Sequence, residues 1–509
     1  MKRSALVPVA GLLFAGGLVA AASFTATALV ATPRPASAQT DPCAGLARPG
    51  LFSQTTVSSA RRVDANAAKG TPSFCEVTAV VSPAKGSSIG VVFRLPDGWH
   101  GKMLGLGGGG WAGNVRIEAA EPGLAKGYAT MQTDGGHASE SVWDTSWVAN
   151  PQSISDFAYR AIHEMTAVGK LVVAKYYGKP QSRAYYQGCS TGGRQGLMEV
   201  QRYPDDYDGV IAGAPVYNLL VQTSAVVRNQ TFAAEGAGFT EDQFKLVNQT
   251  VLKACDAADG LADGVISDPR QCKWDPAELQ CKPGQTGPDC LGKGQVEALR
   301  TVYGGVQEID GRQAAWPLIR GGELGWSRFI QVSATTRDAS NGGGLGGALR
   351  GPLLGDPNFD MAKFDHTRDV ATIRSSAFAK AYEAGNPAIG DFLGKGHKLL
   401  LWHGWSDPGP SPVGTIAYHE QVRGSVPASA ANERLFLAPG VYHCGGGPGP
   451  DKFDLLGALD HWVQTGEAPA TLLATKVGSK VSRPLCPYPS VAHYRGAGDP
   501  DAAASFECR

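Results

Sequence analysis

The chain has 509 residues, enough to bury a large core and to split into two units. Its 46 basic and 46 acidic residues cancel, and no basic run follows the first residues, which argues against nucleic acid or an anionic membrane as partner. The 67 glycines gather at turns and loops, with no repeat of solenoid length.

Residues 1–38 read as a signal peptide. Lys2 and Arg3 supply the positive start, Leu6 to Val30 is apolar and small, and Ala36-Ser37-Ala38 is a cleavage site. The apolar span is long enough to cross a bilayer, but alanine and glycine dilute it and the cleavage site follows. The mature protein is expected to begin near Gln39, to be secreted or periplasmic, and to be free of the membrane. Ten cysteines in an exported chain point to disulfides, and the absence of C-x-x-C removes the usual zinc and redox signatures. Local spacing suggests Cys255 with Cys272, Cys281 with Cys290, and Cys486 with Cys508. Cys43, Cys75, Cys189 and Cys444 remain, and sequence alone leaves the connectivity open.

In chain order, strands are expected near Phe74–Val81 and Ile89–Phe93, then at Lys102–Leu106. The last runs into Gly107-Gly108-Gly109-Gly110-Trp111. This loop lacks the following helix and acidic residue of a dinucleotide site and the Gly-Lys-Ser/Thr of a phosphate loop. A loop donating a backbone N–H to an oxyanion fits better. Another strand covers 127–134 and ends at Gly135-Gly136-His137. A helix with Ser153 or Ser155 as cap is expected over 153–177. Next come the strand-like Arg183-Ala184-Tyr185-Tyr186, then Gly188-Cys189-Ser190-Thr191-Gly192, then a helix-competent run from Gly193 to Gln201. A serine between strand and helix, with glycines letting the backbone crowd past it, is a nucleophile elbow. A buried strand follows at 207–215. Strands alternating with helices indicate a mainly parallel sheet covered on both faces.

The rhythm changes from 216 to 395: two helix-like runs, a loop with local cysteine pairs, and a Gly-rich stretch at 341–347. This reads as a lid domain inserted between residues 39–215 and 396–509. Strands return at 398–404 and 434–437, and a helix is expected at 453–465. Each returning strand ends in a residue Ser190 needs. Asp407 follows the first, and His443 lies after the second, in the order serine, acid, histidine. His443 would shuttle the proton and Asp407 would hold its tautomer. His403, His137 and His100 are the competing histidines. His443 is preferred because Cys444 adjoins it as Cys189 adjoins Ser190, and a bridge between them would tie nucleophile to base.

These strings, with Thr133-Asp134-Gly135-Gly136-His137, 207–215 and Leu485-Cys486-Pro487-Tyr488-Pro489, resemble the tannase and feruloyl esterase family over nearly the whole mature chain. The resemblance implies an α/β-hydrolase fold with a large lid, and a secreted serine esterase acting on esters of aromatic acids. It implies Ser190, Asp407 and His443 as triad and the N–H groups of Gly110 and Thr191 as oxyanion hole. It also implies five disulfides: 43–75, 189–444, 255–272, 281–290 and 486–508. Feruloyl esters are the first expectation, gallate esters the second and mono(2-hydroxyethyl) terephthalate the third. The family's terephthalate enzyme uses a lid arginine, and neither Arg337 nor Arg350 aligns convincingly with it. A non-catalytic binding protein on the same fold is the alternative of a different class.

The run 256–265 places Asp256, Asp259 and Asp263 among turn-forming glycines, a pattern unlike an EF-hand but suited to a hard cation. The resemblance implies structural Ca²⁺ held by these side chains and by the carbonyls of Leu261 and Val265. No organic cofactor is expected. Trp111, beside the Gly-rich loop, then His137 and Trp405 are candidates for contact with an aromatic acyl group.

Overall fold

A computed structural model describes residues 41–509 except 112, 140, 331, 333–349 and 357. The expected signal peptide, Arg337 and the Gly-rich run at 341–347 lie outside the described residues. The core is a nine-stranded sheet. Its strands in chain order are β1 (Thr55–Val63), β2 (Phe74–Val81), β3 (Ile89–Pro96), β4 (Lys102–Leu106), β5 (Ala129–Thr133), β6 (Arg183–Cys189), β7 (Gly209–Gly213), β8 (Lys398–Gly404) and β9 (Glu433–Ala438). Their spatial order is β1-β2-β3-β5-β4-β6-β7-β8-β9. The pairings from β5 onward are parallel, and β1 to β5 are joined by antiparallel ones.

The period-2 geometry of strands splits the core in two. Tyr186, Val210, Ala212, Leu399 and Leu401 point to one face, and Tyr185, Ile211, Leu400, Trp402 and Phe436 to the other. Alternate residues are thus all apolar, as a sheet covered on both sides requires. The principal helices are α1 (Ile117–Ala125), α2 (Ala161–Tyr177), α3 (Thr191–Arg202), α4 (Leu220–Ala233), α5 (Glu241–Cys255), α6 (Pro412–Ser425) and α7 (Leu455–Thr465). Helices α2, α3 and α6 cover the first face through Met165, Leu197, Met198 and Val422. Helices α1 and α7 cover the second through Leu124, Leu459 and Trp462.

The helix expected from Ser153 differs at its start. Neither Ser153 nor Ser155 caps it: helical structure begins at Pro151, and the Asn150 side chain accepts from the N–H of Gln152. Asparagine before a proline at the first helical position is the stronger start signal. A π-helical turn, Asp156–Arg160, precedes α2. The guanidinium of Arg194, fully buried in α3, donates to the carbonyls of Phe157 and Ala158 in that turn at 2.9 and 2.7 Å, and to that of Tyr382 at 3.0 Å.

Between β7 and β8 the chain makes an insertion richer in helix than the two runs expected. It holds α4, α5 and helices at Lys293–Gly304, His366–Ser375 and Ala377–Tyr382. Phe232, Phe239, Phe244, Val251 and Trp326 form an apolar cluster of their own there. Among the described residues, no helix is long and apolar enough to cross a membrane.

Candidate active site

β6 ends at Cys189 and α3 begins at Thr191, so Ser190 alone makes the turn, at φ 63° and ψ −123°. A residue with a Cβ is strained at positive φ, and the neighbouring backbone over-determines it. The Ser190 N–H donates to the Gly213 carbonyl at 2.9 Å, and its carbonyl accepts from the N–H groups of Arg194 and Val216 at 3.0 and 3.2 Å. A Cβ at residue 188 would sit 2.4 Å from the carbonyl carbon of Gly192, so only glycine lets the helix start this close to the strand. Ser190 is half-buried, above the N-terminus of α3 where negative charge is favoured.

The Gly-rich loop after β4 is bound to this turn. Thr191 Oγ1 donates to the Gly110 carbonyl at 2.8 Å, and the Gly108 N–H donates to Gln195 Oε1 at 3.0 Å. Gly110 has φ 57°, and a Cβ there would meet the Val142 carbonyl oxygen at 2.7 Å. Gly110→Ala is therefore expected to push the loop off Thr191. With the Gly110 N–H as the oxyanion donor that the resemblance implies, its loss would lower kcat about 100- to 1,000-fold. Steady-state kinetics on an ester substrate checks this, and an unchanged kcat would count against it.

His443 follows β9, and Cys444 beside it has φ 59°. The Cys189–Cys444 disulfide holds the two segments at a Cα–Cα distance of 6.0 Å. His443 Nδ1 lies 2.7 Å from Asp407 Oδ2. A carboxylate oxygen at that nitrogen fixes the hydrogen on Nδ1 and leaves Nε2 as the basic atom. Asp407 is buried, and its Oδ1 accepts from the Gly409 N–H at 2.8 Å. Burial pushes the carboxyl pKa up, but the charge of His443 and the hydrogen bonds from His403 and His443 outweigh it and hold the pKa at about 2. The group stays ionised throughout the working range.

Three further side chains meet at this site, two of which, Arg228 and Phe329, carried no sequence signal. Arg228 of α4 is buried and donates to the carbonyls of Pro408 and Gly409 at 3.2 and 3.0 Å and of Trp316 at 2.8 Å. Burial lowers its pKa to about 10 and the Asp407 charge opposes that, so the insertion supplies a cation to the acid's loop. Phe329, also from the insertion, stands edge-on to the His443 ring at 5.1 Å. His403 approaches Asp407 Oδ2 at 3.1 Å. The sequence had marked it as a competing histidine, within the string His403-Gly404-Trp405-Ser406-Asp407.

The aromatic candidates are placed differently from expectation. Trp111 is 3 % exposed and packs against Trp147, Phe157, Phe378 and Tyr382. His137 is buried beneath it, 2.7 Å from the Trp111 carbonyl and stacked on Trp147. Trp405 is 2 % exposed, with Arg270 over its ring. All three side chains are buried among packed neighbours rather than open to solvent. Arg350 opens a short helix, Arg350–Leu354.

The remaining cysteines pair as Cys43–Cys75, Cys255–Cys272, Cys281–Cys290 and Cys486–Cys508. Asp256 and Asp259, in the loop after α5, are buried; burial, with the charge of Asp263 added, pushes both carboxyl pKa values up. Asp256 accepts from the N–H groups of Gly264 and Val265, and Asp263 pairs with Arg483 at 2.5 Å. Buried carboxyls in an all-oxygen loop are a donor set for a hard cation. Among the described residues, the metal-type ligand atoms drawn within 4.8 Å of one another are those of His163, Glu199 and Asp206. There, burial and the charge of Asp206 push the Glu199 pKa well above the usual carboxyl range. His163 and Lys170 pair with Asp206 at 2.7 and 3.8 Å.

Residues 75–509 match the family model described as tannase and feruloyl esterase. The chain belongs to the tannase and feruloyl esterase family. Members are carboxylic ester hydrolases, and so is this chain. It is 32 % identical to a mono(2-hydroxyethyl) terephthalate hydrolase of Piscinibacter sakaiensis, over 86 % of this chain and 85 % of that one. It is 33 % identical to a probable feruloyl esterase of Arthroderma benhamiae, with 82 % of each chain covered. The crystal structure of feruloyl esterase B from Aspergillus oryzae superposes with a TM-score of 0.83 at 27 % identity, over 92 % of this chain and 99 % of that one. The fold is that of the α/β-hydrolases.

Proposed function

We propose that the chain is an exported serine esterase cleaving esters of aromatic acids, feruloyl esters first, through Ser190, His443 and Asp407. The observation that carries this reading is the union of a strained serine turn with a His443–Asp407 pair through Cys189–Cys444. Ser190 Oγ bonds to the ester carbonyl carbon while its proton passes to His443 Nε2. The carbonyl electron pair moves onto oxygen, where the N–H groups of Gly110 and Thr191 receive it. Collapse expels the alcohol, which takes the proton from His443. Water then repeats the sequence on the acyl-enzyme: its proton goes to His443, its hydroxyl to the acyl carbon, and Ser190 leaves reprotonated.

Feruloyl esters rank first because enzymes named for that activity recur among relatives and solved structures. The test is product release from methyl ferulate, methyl gallate and mono(2-hydroxyethyl) terephthalate by the native chain and by Ser190→Ala. The expected result is fastest turnover of the ferulate and a loss of about 10⁴-fold or more in the variant. Hydrolysis of gallate or terephthalate instead would move the acyl preference. No turnover by the native chain would bring the binding-protein reading forward.

The insertion acts in this reading as a lid over Ser190, and the loop at 256–265 holds structural Ca²⁺ through Asp256, Asp259, Asp263 and the carbonyls of Leu261 and Val265. A bound cation stabilises by about 2.7 kcal/mol at a hundredfold excess over its Kd. Chelation should therefore lower the melting temperature by several degrees and Ca²⁺ should restore it; an unchanged melting curve would count against the site. Export is supported by the five disulfides. Sequencing the exported protein should give an N-terminus near Gln39.

A further inference from the structure

The catalytic acid in this reading is served by two histidines. His443 Nδ1 and His403 Nε2 both approach Asp407 Oδ2, at 2.7 and 3.1 Å. His403 Nε2 also lies 3.1 Å from the Pro410 carbonyl oxygen. Both of its neighbours are acceptors, so Nε2 must carry a hydrogen. On the other side of the ring, Nδ1 lies 2.8 Å from Thr415 Oγ1, whose hydroxyl hydrogen is free to point at it. His403 and Thr415 are both fully buried. The result is one directed chain: Thr415 donates to His403, and His403 donates to the oxygen that receives His443.

A carboxylate on a short side chain can rotate about its last bond, and its useful oxygen must stay in the plane of the His443 N–H. The Gly409 N–H fixes Oδ1, and the buried His403 fixes Oδ2. We propose that His403 is a positioning residue for the Asp407 carboxylate, with Thr415 setting its tautomer. The inference rests on the triad reading above and adds to it a histidine that never touches substrate. Its cost is a polar ring in a buried strand end, which a purely structural position would fill with an apolar side chain.

The test compares His403→Phe, which keeps a ring but removes the donor, with His403→Gln, whose amide nitrogen reaches the place of Nε2. Thr415→Val removes the tautomer-setting hydroxyl at nearly constant volume. Each is measured for kcat and KM on the best ester of the panel, normalised to the serine labelled by a fluorophosphonate. The proton between His443 and Asp407 is followed by its far-downfield NMR signal. Expected are a kcat about 100-fold lower for His403→Phe at little-changed KM, recovery to within about tenfold for His403→Gln, and a smaller loss for Thr415→Val. The downfield signal should broaden or shift in His403→Phe and return in His403→Gln. Full kcat in His403→Phe overturns the proposal. So do equal losses in the Phe and Gln variants with the downfield signal unmoved. If His403→Phe does not fold, an unaltered kcat in Thr415→Val together with the native downfield signal is the overturning result. A native chain that neither hydrolyses an ester nor takes the label fails the triad reading itself, a distinct outcome.

Discussion

Asp407→Asn is expected to lower kcat by about 10⁴-fold with a much smaller change in KM. Both carboxylate oxygens accept: Oδ1 from the Gly409 N–H, Oδ2 from His443 and His403. An amide must turn its NH₂ toward one of these donors. Facing His443, it would demand a bare Nδ1 and so put the hydrogen on Nε2, which then cannot take the Ser190 proton. Stability should respond separately. The folded carboxyl pKa of about 2 lies below its ordinary 3.8, so Asp407 contributes stability above pH 4 that is lost as pH falls through 2. The shift corresponds to about 2 kcal/mol. Acid-unfolding curves should therefore be flatter between those limits in Asp407→Asn. An active asparagine variant would remove Asp407 from the triad.

Removing the Cys189–Cys444 bridge should have the next largest effect. It closes a loop with a sequence separation of 255, whereas the other bridges span 32, 17, 9 and 22. In the chain-entropy picture so long a loop is worth about 5 kcal/mol. The functional effect is expected first, because the bridge holds the residues beside Ser190 and His443 together, and a displacement near 1 Å costs up to about 100-fold in rate. Cys444 is exposed, so mild reductant reaches this bridge directly. Activity should fall while circular dichroism still reports a folded protein. Full activity in a Cys189→Ala/Cys444→Ala variant would sink the idea.

The parallel strands of the sheet were readable because they are short, apolar and closed by glycine or proline, as at β7 and β8. Strand β1 was not. Its sequence, Thr-Thr-Val-Ser-Ser-Ala-Arg-Arg-Val, belongs to a half-exposed edge whose side chains largely face water. The positions of Ser190, Asp407 and His443 were legible because each follows a strand of the sheet in a fixed order. Arg228 and Phe329 were not, because they reach the site from an insertion whose docking no local pattern encodes. The surroundings of Trp111 were not legible for a related reason. Its sequence neighbours are the glycines of the loop, while the aromatic side chains packed around it are drawn from 147, 157, 378 and 382.

Arg228 sets a rule for re-engineering this enzyme. Its guanidinium is the fastening by which the insertion grips the carbonyls at Pro408 and Gly409. The segment between β7 and β8 is therefore not an exchangeable cassette. A chimera that borrows a relative's insertion to change acyl preference inherits a working catalytic acid only if an arginine arrives at the same place. One that omits it leaves those buried carbonyls unpaired, and the grafted specificity would be carried by a scaffold whose chemistry had been loosened.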